Sequence, residues 1–254
     1  MGLAGIAYRQ YTRLLWTRVR RGPVPRHVAM VLDGNRRWAR EQGLDDVSLG
    51  HRRGFEHVVE VLRWCDAAGV GHVTLFWVSI DNLAKRAAPE AAALMRTIER
   101  VVPVLAATGR RVELAGHVDL LPDTTARVLK EAVEETRGIA SPTLTLAVGY
   151  DGRVEIADAV RSLLDEAAAD GRSAREVAAT LTPDDIAAHL YTSGKPDPDL
   201  VIRTSGEQRL SGFLTWQAAF SRLHCVDVNW PGFREIDFLR ALRTFAARTT
   251  SSAR

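Results

Sequence analysis

HVAMVLDGNRRW, residues 27–38, joins a short apolar run to a polar turn that contains an acid and two arginines. The run is rich in Val and Met and reads as a buried β-strand. Gly34 permits a sharp turn that exposes backbone N–H groups, and helical residues follow it. A strand, a glycine turn and the start of a helix together predict one repeating unit of an α/β fold.

Four further apolar runs resemble the first in length and in their content of Val, Leu and Thr: 72–79, 111–118, 143–150 and 199–205. Helical patterns occupy the segments 50–68, 88–107, 123–137, 153–169, 183–190 and 235–248. Alternating strands and helices predict an α/β fold with a mostly parallel central sheet and helices on both faces. Loops are expected at 83–88 and 193–199, and no internal repeat or linker divides the chain.

The composition is that of an ordinary globular protein, with 254 residues and 46% hydrophobic content. No run of eighteen apolar residues occurs, so the sequence predicts no membrane-spanning helix. Cys65 and Cys225 are far apart and belong to no CxxC pair. We therefore expect reduced cysteines and a cytoplasmic protein.

Positive charge is concentrated at the N-terminus. Residues 1–26 contain six arginines and no acid, whereas the remaining residues contain 28 basic and 31 acidic side chains. The body of the protein therefore has no bias towards nucleic acid. We divide the chain into a basic amphipathic arm, 1–23, and a single domain, 24–254. The arm can lie on an anionic lipid surface as a peripheral membrane contact, or it can pack as a helix on its own domain, and both interpretations remain open.

Polar segments follow three of the predicted strands, where open α/β sheets bind their ligands. These segments are 33–38, 79–85 and 203–211. Taken alone, the octet 31–38 also fits a solvated turn with an ion pair. The agreement of three segments at one sheet edge favours a functional site.

The first segment has the chemistry of a metal and phosphate site. Mg²⁺ needs only one or two protein carboxylates when substrate phosphates supply other ligands, and Asp33 meets that need. Arg36 and Arg37 suit bidentate contacts to phosphate. His51, near the start of the next helix, can donate to the same phosphate, although a surface role is the alternative.

The segment 203–213, RTSGEQRLSGF, predicts a second anion site. Arg203 and Arg209 flank a Ser-Gly pair, and Ser211 has the position of an N-cap before a helix FLTWQAAF. Alternatively, Glu207 pairs with one of the arginines. Two phosphate sites at one sheet edge suggest two phosphorylated substrates, and hence group transfer. The chain has no P-loop motif and no pair of DDxxD motifs, which argues against a P-loop enzyme and an all-α prenyl synthase.

These blocks resemble the cis-prenyltransferases, typified by undecaprenyl diphosphate synthase. The resemblance covers roughly residues 24–248 and includes HVAMVLDGNRRWAREQG, the SxDN of 79–82, GYDGR at 149–153, DLVIRTSGEQRLSGFLTWQ and VNWPGF. The residue sequences of these motifs are most similar to those of short actinobacterial members that make Z,E-farnesyl diphosphate. The resemblance implies a homodimeric α/β enzyme that uses Mg²⁺ to join isopentenyl diphosphate to an allylic diphosphate.

The resemblance also implies roles for individual residues. Asp33 would be the metal-binding catalytic acid, and Asn82 matches the asparagine assigned to proton removal. Residues implied to bind the allylic diphosphate are Gly34, Asn35, Arg36, Arg37, Trp38, His51, Ser79, Asp81 and Lys85. Those implied to bind isopentenyl diphosphate are Arg203, Arg209, Leu210 and Ser211.

Several positions depart from the family pattern. Arg222 occupies the usual place of a second, glutamate metal ligand, which is expected on a helix after the second anion segment. Val47 stands where the family has an allylic-site arginine, and Lys85 stands where the next arginine is expected. Trp77 replaces a small residue on the strand that lines the tunnel. An indole there would fill the volume a growing chain needs and would set a short product, unless Trp77 points to the other face of its strand.

Three functions follow from these residues. The first is a short-chain cis-prenyl diphosphate synthase with a C10–C15 product. The second is a head-to-middle, lavandulyl-type condensation of two allylic diphosphates, suggested by Arg222. The third is a non-catalytic subunit of a heteromeric enzyme, which the retained diphosphate-binding residues argue against.

Overall fold

A computed structural model describes residues 3–252 of the protein. Its strands are β1 His27–Val31, β2 His72–Ser79, β3 Arg111–Ala115, β4 Thr143–Tyr150, β5 Leu200–Arg203 and β6 Arg222–Cys225. All pair in parallel in one sheet of order β3-β4-β2-β1-β5-β6. The five predicted strands are confirmed, with β2 and β4 at their predicted bounds.

The helices alternate with the strands as predicted. They are α1 Leu3–Val19, α2 Asn35–Glu41, α3 Ser48–Ala68, α4 Ile80–Lys85, α5 Ala88–Ala106, α6 Asp123–Glu135, α7 Gly152–Ala169, α8 Ala174–Thr180, α9 Pro183–Ala188 and α10 Glu235–Ser252, with 3₁₀ turns at Val118–Leu120 and Trp230–Gly232. The expected loop 83–88 is partly wrong, because α4 extends to Lys85. The Ser79 hydroxyl stabilises the start of α4 by accepting a hydrogen bond from the Asn82 amide at 3.0 Å.

The sheet is buried on both faces, as expected for parallel strands between helices. Val28 and Met30 of β1 belong to the larger core, which includes residues of α1, α3, α5 and α10. Ala29 and Val31 face a smaller core that is closed by Phe213 and its neighbours. The α/β architecture with helices on both sides is therefore confirmed.

Two predictions in the segment 211–225 are wrong. Residues 211–220 form turns rather than a helix, because Ser211, Gly212 and Leu214 have positive φ angles of 51°, 79° and 45°. An N-cap residue needs extended backbone, so Ser211 does not cap a helix. Arg222, expected on that helix, instead begins the edge strand β6.

The N-terminal arm is largely helical and packs on the domain. Leu15 and Val19 of α1 are buried in the larger core, and Nε1 of Trp16 donates to Oε1 of Glu235 at 2.8 Å. The outer surface of α1 exposes Ile6 and Leu14 among its arginines. Within residues 3–252, no helix is long and apolar enough to cross a bilayer.

The position of the site follows from the strand order. From β1 the chain first adds β2 on one side and later adds β5 on the other side. The loops after β1 and β5 therefore diverge and leave a crevice at the carboxyl ends of these two strands.

Candidate active site

A cavity of about 440 Å³ opens at the carboxyl ends of the central strands. All three polar segments predicted at this edge contribute to its wall. The predicted site residues that line it are Asp33, Gly34, Asn35, Arg36, Arg37, His51, Trp77, Ser79, Asp81, Asn82, Arg203 and Ser211. Four other predicted site residues are not part of its lining: Trp38, Lys85, Arg209 and Leu210.

Asp33 and Arg203 form the floor of the cavity where β1 and β5 end. Oδ2 of Asp33 accepts a hydrogen bond from Nη2 of Arg203 at 2.9 Å, and Oδ1 accepts one from the Gly34 amide at 2.7 Å. Thr204 fixes the backbone of the acid, because its hydroxyl accepts from the Asp33 amide at 3.0 Å. The carboxylate is thus held in place but remains 42% exposed to the cavity.

The donor set fits one hard cation shared with substrate. Asp33 presents a partly exposed carboxylate beside arginines that suit phosphate, and Mg²⁺ takes few protein ligands in such sites. Among residues 3–252, no group of three His, Cys, Asp or Glu side chains forms a cage for a metal. Substrate phosphates would therefore complete the coordination.

The turn after Asp33 is tightly packed. Gly34 has a φ angle of 97°, and a Cβ atom there would lie 2.3 Å from Oδ1 of Asn229, so only glycine fits. Asn35 follows and is buried against Gly50 and Gly54, where any Cβ would approach it to 2.2 Å. Its Nδ2 donates to the Leu32 carbonyl at 3.1 Å. These contacts lock the start of α2 against α3.

Arg37 links the loop after β1 to the loop after β5. Its Nη1 donates to the hydroxyl of Ser205 at 2.8 Å and to the carbonyl of the same residue at 3.1 Å. Ser205 has a φ of 74°, a conformation that non-glycine residues rarely adopt outside functional turns. Arg37 therefore stabilises the loop after β5 while it lines the cavity.

A single carboxylate contacts three side chains on the α3–α5 side of the cavity. Oε1 of Glu90 accepts from Nε of Arg36 at 2.7 Å and from Nη1 of Arg86 at 2.8 Å, and it lies 2.8 Å from Nε2 of His51. Burial, with help from the Arg86 guanidinium, lowers the pKa of His51 to about 4. His51 is thus neutral at pH 7 and acts as a hydrogen-bonding group rather than a charge.

Arg86, rather than Lys85, lines the cavity at this position. Lys85 points outwards and pairs with Asp81 at 2.7 Å on the surface of α4. Arg86 lines the cavity and is buried, and its Nε has no partner within the described part of the chain. A buried guanidinium N–H without a partner at a cavity wall is suited to bind an anion.

Trp77 faces the cavity and the larger core. The pairing of β2 with β4 shifts register between Phe76 and Val78, so that Trp77 has no partner in β4. Trp77 lies on the same face of β2 as Val73 and Leu75, as the two-residue alternation of a strand predicts, and its indole stacks on Phe55 with ring centroids 4.6 Å apart. Phe55 and Trp77 together form an apolar wall of the cavity.

The second anion segment contributes two of its four predicted residues. Nη1 of Arg203 donates to the Ser211 hydroxyl at 2.8 Å and to the Arg209 carbonyl. The Arg209 side chain is 71% exposed and pairs with Glu207 at 3.3 Å. Leu210 packs against the smaller core instead of lining the cavity. The alternative pairing of Glu207 with an arginine is therefore observed.

Arg222 is not part of the cavity lining. Its guanidinium carbon lies 5.7 Å from the centre of the Phe245 ring on α10, and its backbone amide donates to the Asp199 carbonyl. The residue that occupies the usual second-ligand position thus forms a cation–π contact with its own domain.

Several cavity residues beyond Arg86 had no role in the sequence-based assignment, and three of them are Arg40, Phe76 and Asp151. Arg40 lies one turn after Arg36 on α2, Phe76 is near the end of β2, and Asp151 follows β4. The spacing of Arg36 and Arg40 could have revealed the first, because residues four apart share a helix face. Asp151 lies within the quoted GYDGR block and follows a predicted strand, so its place at the sheet edge could also have been predicted.

Comparisons with known proteins agree with this geometry. The chain is 55% identical over 249 residues to a (2Z,6E)-farnesyl diphosphate synthase of Thermobifida fusca, covering 98% of both chains. It is 50% identical over 248 residues to a (2Z,6E)-farnesyl diphosphate synthase of Mycolicibacterium smegmatis, covering 95% of this chain and 94% of the relative. Among solved structures, the lavandulyl diphosphate synthase of Lavandula x intermedia, in complex with dimethylallyl diphosphate, matches with a TM-score of 0.80 and 28% identity, covering 89% of this chain and 96% of that chain.

The family profile described as "Putative undecaprenyl diphosphate synthase" matches residues 31–252, which include the ends of β1, β2 and β5 and the whole cavity wall. The resemblance found in the sequence is confirmed by this match and by the relatives at about half identity. The chain therefore belongs to the undecaprenyl diphosphate synthase family of cis-prenyltransferases.

Proposed function

We propose that the protein is a short-chain cis-prenyl diphosphate synthase that joins isopentenyl diphosphate to a short allylic diphosphate and releases a C10–C15 product. The observation that carries this proposal is a single cavity with Arg36 and Arg86 on one side, Arg203 on another side and one apolar wall. The farnesyl diphosphate synthases among its relatives support the same reaction and product class.

The allylic diphosphate is assigned to the cluster on α2, α3 and the start of α5. Arg36 and Arg86 supply charge there, and neutral His51 supplies a hydrogen bond. Glu90 accepts hydrogen bonds from Arg36 and Arg86 and so orients both guanidinium groups. Arginine suits this task because its planar fork matches phosphate oxygens.

Isopentenyl diphosphate is assigned to Arg203 and Ser211. The Arg203 side chain is 4% exposed and already bonded to Asp33 and Ser211, so it is fixed before the substrate arrives. Preorganised donors of this kind stabilise charge without reorganisation during the reaction. The hydrogen bond from Arg203 to Asp33 supports the assignment of the two diphosphates to adjacent sites.

The reaction begins when the allylic C–O bond breaks and the diphosphate leaves. Asp33 would hold Mg²⁺, which, when bound, supplies positive charge that offsets the charge of the leaving diphosphate. Arg36 and Arg86 hold that diphosphate while the double bond of isopentenyl diphosphate forms the new C–C bond. Loss of a proton from carbon 2 completes the product, with Asn82 beside the reacting carbons.

The apolar wall of the cavity is assigned to the hydrocarbon chain. Trp77 and Phe55 stack together and fill space that a longer chain would need. A short product follows from this packing, because further elongation would require the indole to move. Burial of the chain against these rings also keeps water from the allylic cation.

The test is an incorporation assay with radiolabelled isopentenyl diphosphate, Mg²⁺ and either dimethylallyl or geranyl diphosphate, followed by mass spectrometry. We expect a C10 or C15 cis product. No incorporation from either primer would contradict the proposal.

A second candidate reaction is head-to-middle condensation of two allylic diphosphates. The similarity to the lavandulyl diphosphate synthase structure and the arginine at position 222 favour it. Supplying dimethylallyl diphosphate alone distinguishes the two, because only this reaction gives a branched product without isopentenyl diphosphate.

A non-catalytic role is disfavoured, since a scaffold has no need of buried donors without a hydrogen-bond partner, such as Nε of Arg86 and Nε of Arg203.

Assembly and location complete the proposal. We assign the interface of a homodimer to the edge of β6, where Phe220 is 99% exposed and Leu223 is also exposed, because an uncovered edge strand with apolar neighbours favours pairing.

We assign the outer face of α1, with Ile6 and Leu14 among arginines, to peripheral contact between a cytoplasmic enzyme and an anionic membrane. Flotation with anionic and with zwitterionic vesicles tests the second assignment, and equal recovery with both would contradict it.

A further inference from the structure

Asp151 occupies a position between the two halves of the reaction site. It follows Tyr150, which pairs with Ser79 at the end of β2, and it lines the cavity. On its other side, the Gly152 amide donates to the Gly212 carbonyl at 2.8 Å. The acid therefore lies between the segment of Ser79 and Asn82 and the segment of Ser211 and Gly212.

The other two acids of the cavity wall are engaged with cations. Asp33 pairs with Arg203 and Asp81 pairs with Lys85. Asp151 forms no ion pair within 4.0 Å with any residue between 3 and 252. It is thus the cavity carboxylate whose charge is left without a partner in the described chain.

The two oxygens of Asp151 have different surroundings. Oδ1 caps α7 by accepting from the amides of Arg153 at 2.8 Å and Val154 at 3.3 Å. Oδ2 lies towards Gly212, 3.3 Å from the place that a Cβ atom would take there, and accepts no hydrogen bond from the described residues. The cap fixes the carboxylate in one orientation and leaves the second oxygen available for chemistry.

The proposed reaction needs a proton acceptor in this region. Formation of the new C–C bond leaves a tertiary carbocation, which becomes an alkene only when a proton leaves carbon 2 of the isopentenyl unit. The amide of Asn82 accepts hydrogen bonds but is too weak a base to take up a proton, whereas an ionised carboxylate can accept one from a strongly acidic C–H bond. A proton next to a carbocation is strongly acidic, so a carboxylate with one hydrogen-bonded oxygen is basic enough.

We propose that Asp151 accepts the proton that carbon 2 of isopentenyl diphosphate loses after condensation. The C2–H bond breaks, its electron pair forms the new C2=C3 double bond, and the proton passes to Oδ2. Anchoring of the diphosphate at Ser211 brings carbon 2 towards this oxygen, while Asn82 orients the substrate. The proposal rests on the synthase function proposed above.

The rival explanation is that Asp151 only caps α7. Asparagine and serine are as effective as aspartate at an N-cap, so Asp151→Asn and Asp151→Ser keep the cap and remove the carboxylate. Asp151→Ala removes both. Thermal melting of the three variants separates the cap from the charge, and two independent cap-retaining variants cover the case in which one fails to fold.

The experiment measures kcat and both KM values with isopentenyl diphosphate and the preferred primer, over a range of pH. We expect Asp151→Asn and Asp151→Ser to lose about 10²–10⁴-fold in kcat, with little change in either KM. A primary isotope effect with substrate deuterated at carbon 2 should increase, because proton loss becomes rate-limiting.

Two results would overturn the proposal. One is a kcat within about three-fold of wild type in a folded cap-retaining variant, which would assign proton uptake to another group such as a diphosphate oxygen. The other is a raised KM for isopentenyl diphosphate with unchanged kcat, which would make Asp151 a binding residue. Inactive wild-type protein would instead refute the proposed function itself.

Discussion

Oδ2 of Asp33 accepts a hydrogen bond from Nη2 of Arg203 at 2.9 Å, although 170 positions separate the two residues in the chain. The contact joins the carboxylate that would hold the cation to the arginine assigned to the second diphosphate. It exists because β1 and β5 are adjacent and parallel, so that both strands end at the same edge. The two clusters of the active site therefore share one fixed ion pair.

Removing the charge at position 33 should abolish most activity. Asp33→Asn keeps the shape of the side chain but weakens both the cation site and the pairing with Arg203. We expect kcat/KM to fall by about 10²–10³-fold, as for loss of one preorganised electrostatic group. Steady-state incorporation assays over a range of Mg²⁺ concentrations measure the effect. Asp119→Asn, an exposed partner of Lys130, is the control and should leave activity unchanged.

Neighbouring cations at the start of α5 should differ sharply in function. Arg86→Ala removes a buried guanidinium from the cavity wall, and we expect KM for the allylic diphosphate to rise by at least about ten-fold, as for loss of a charge-assisted hydrogen bond worth about 1.5–3 kcal/mol. Lys85→Ala removes only a surface ion pair and should have little effect. Equal KM values for the two variants would contradict the assignment of this role to Arg86.

The product should lengthen when the apolar wall is opened. Trp77→Ala removes the indole that stacks on Phe55, and we expect products longer than C15 by mass spectrometry. The same change should cost about 3–5 kcal/mol of unfolding free energy, since a large buried aromatic is lost. Val73→Ala, on the same strand and in the same core but outside the cavity lining, controls for destabilisation alone. Unchanged product length in the Trp77 variant would remove this residue from chain-length control.

Stability should decrease as the pH falls from about 6.5 to about 4. His27 and His51 have pKa values lowered by burial to about 4, so over this window the unfolded chain binds more protons than the folded one. Their contribution is complete above the unfolded-state pKa and is lost as each histidine is forced to charge. Urea unfolding at pH 7.5 and 5.0 measures the difference, which should be smaller in His27→Gln. Identical pH dependence in wild type and variant would contradict this origin.

The edge of β6 should control the oligomeric state. Phe220→Asp places a charge on an aromatic position that is 99% exposed in the single chain. We expect a shift from dimer to monomer in light scattering coupled to gel filtration, because burying an unpaired carboxylate at an interface is costly. Leu120→Asp, another exposed apolar position on the opposite half of the sheet order, is the control. A monomeric wild-type protein would refute the dimer assignment.

Local patterns in the sequence were enough to predict the architecture. Apolar runs of four to eight residues marked five strands, and their alternation with helical segments indicated a parallel sheet with helices on both faces. β6 could not be predicted in this way, because RLHC is a short edge strand with mixed polarity that shows neither an apolar run nor a clear alternation. Ser211 was misread because its side chain suits an N-cap, whereas its backbone is left-handed.

The sequence by itself determined the α/β fold, the family and the residues at the ends of β1, β2 and β5. Short segments carry this information, because each one shows its own strand periodicity and its own polar residues after the strand. Parallel strands all end at the same edge, so these polar residues could be assigned to that edge. Tertiary structure alone decided which side chains meet there. It placed Arg86 rather than Lys85 against Glu90, stacked Trp77 on Phe55 in the wall of the cavity, and brought Asp151 between two distant loops. Such choices depend on register and on contacts between segments far apart in the chain, and no local pattern contains that information.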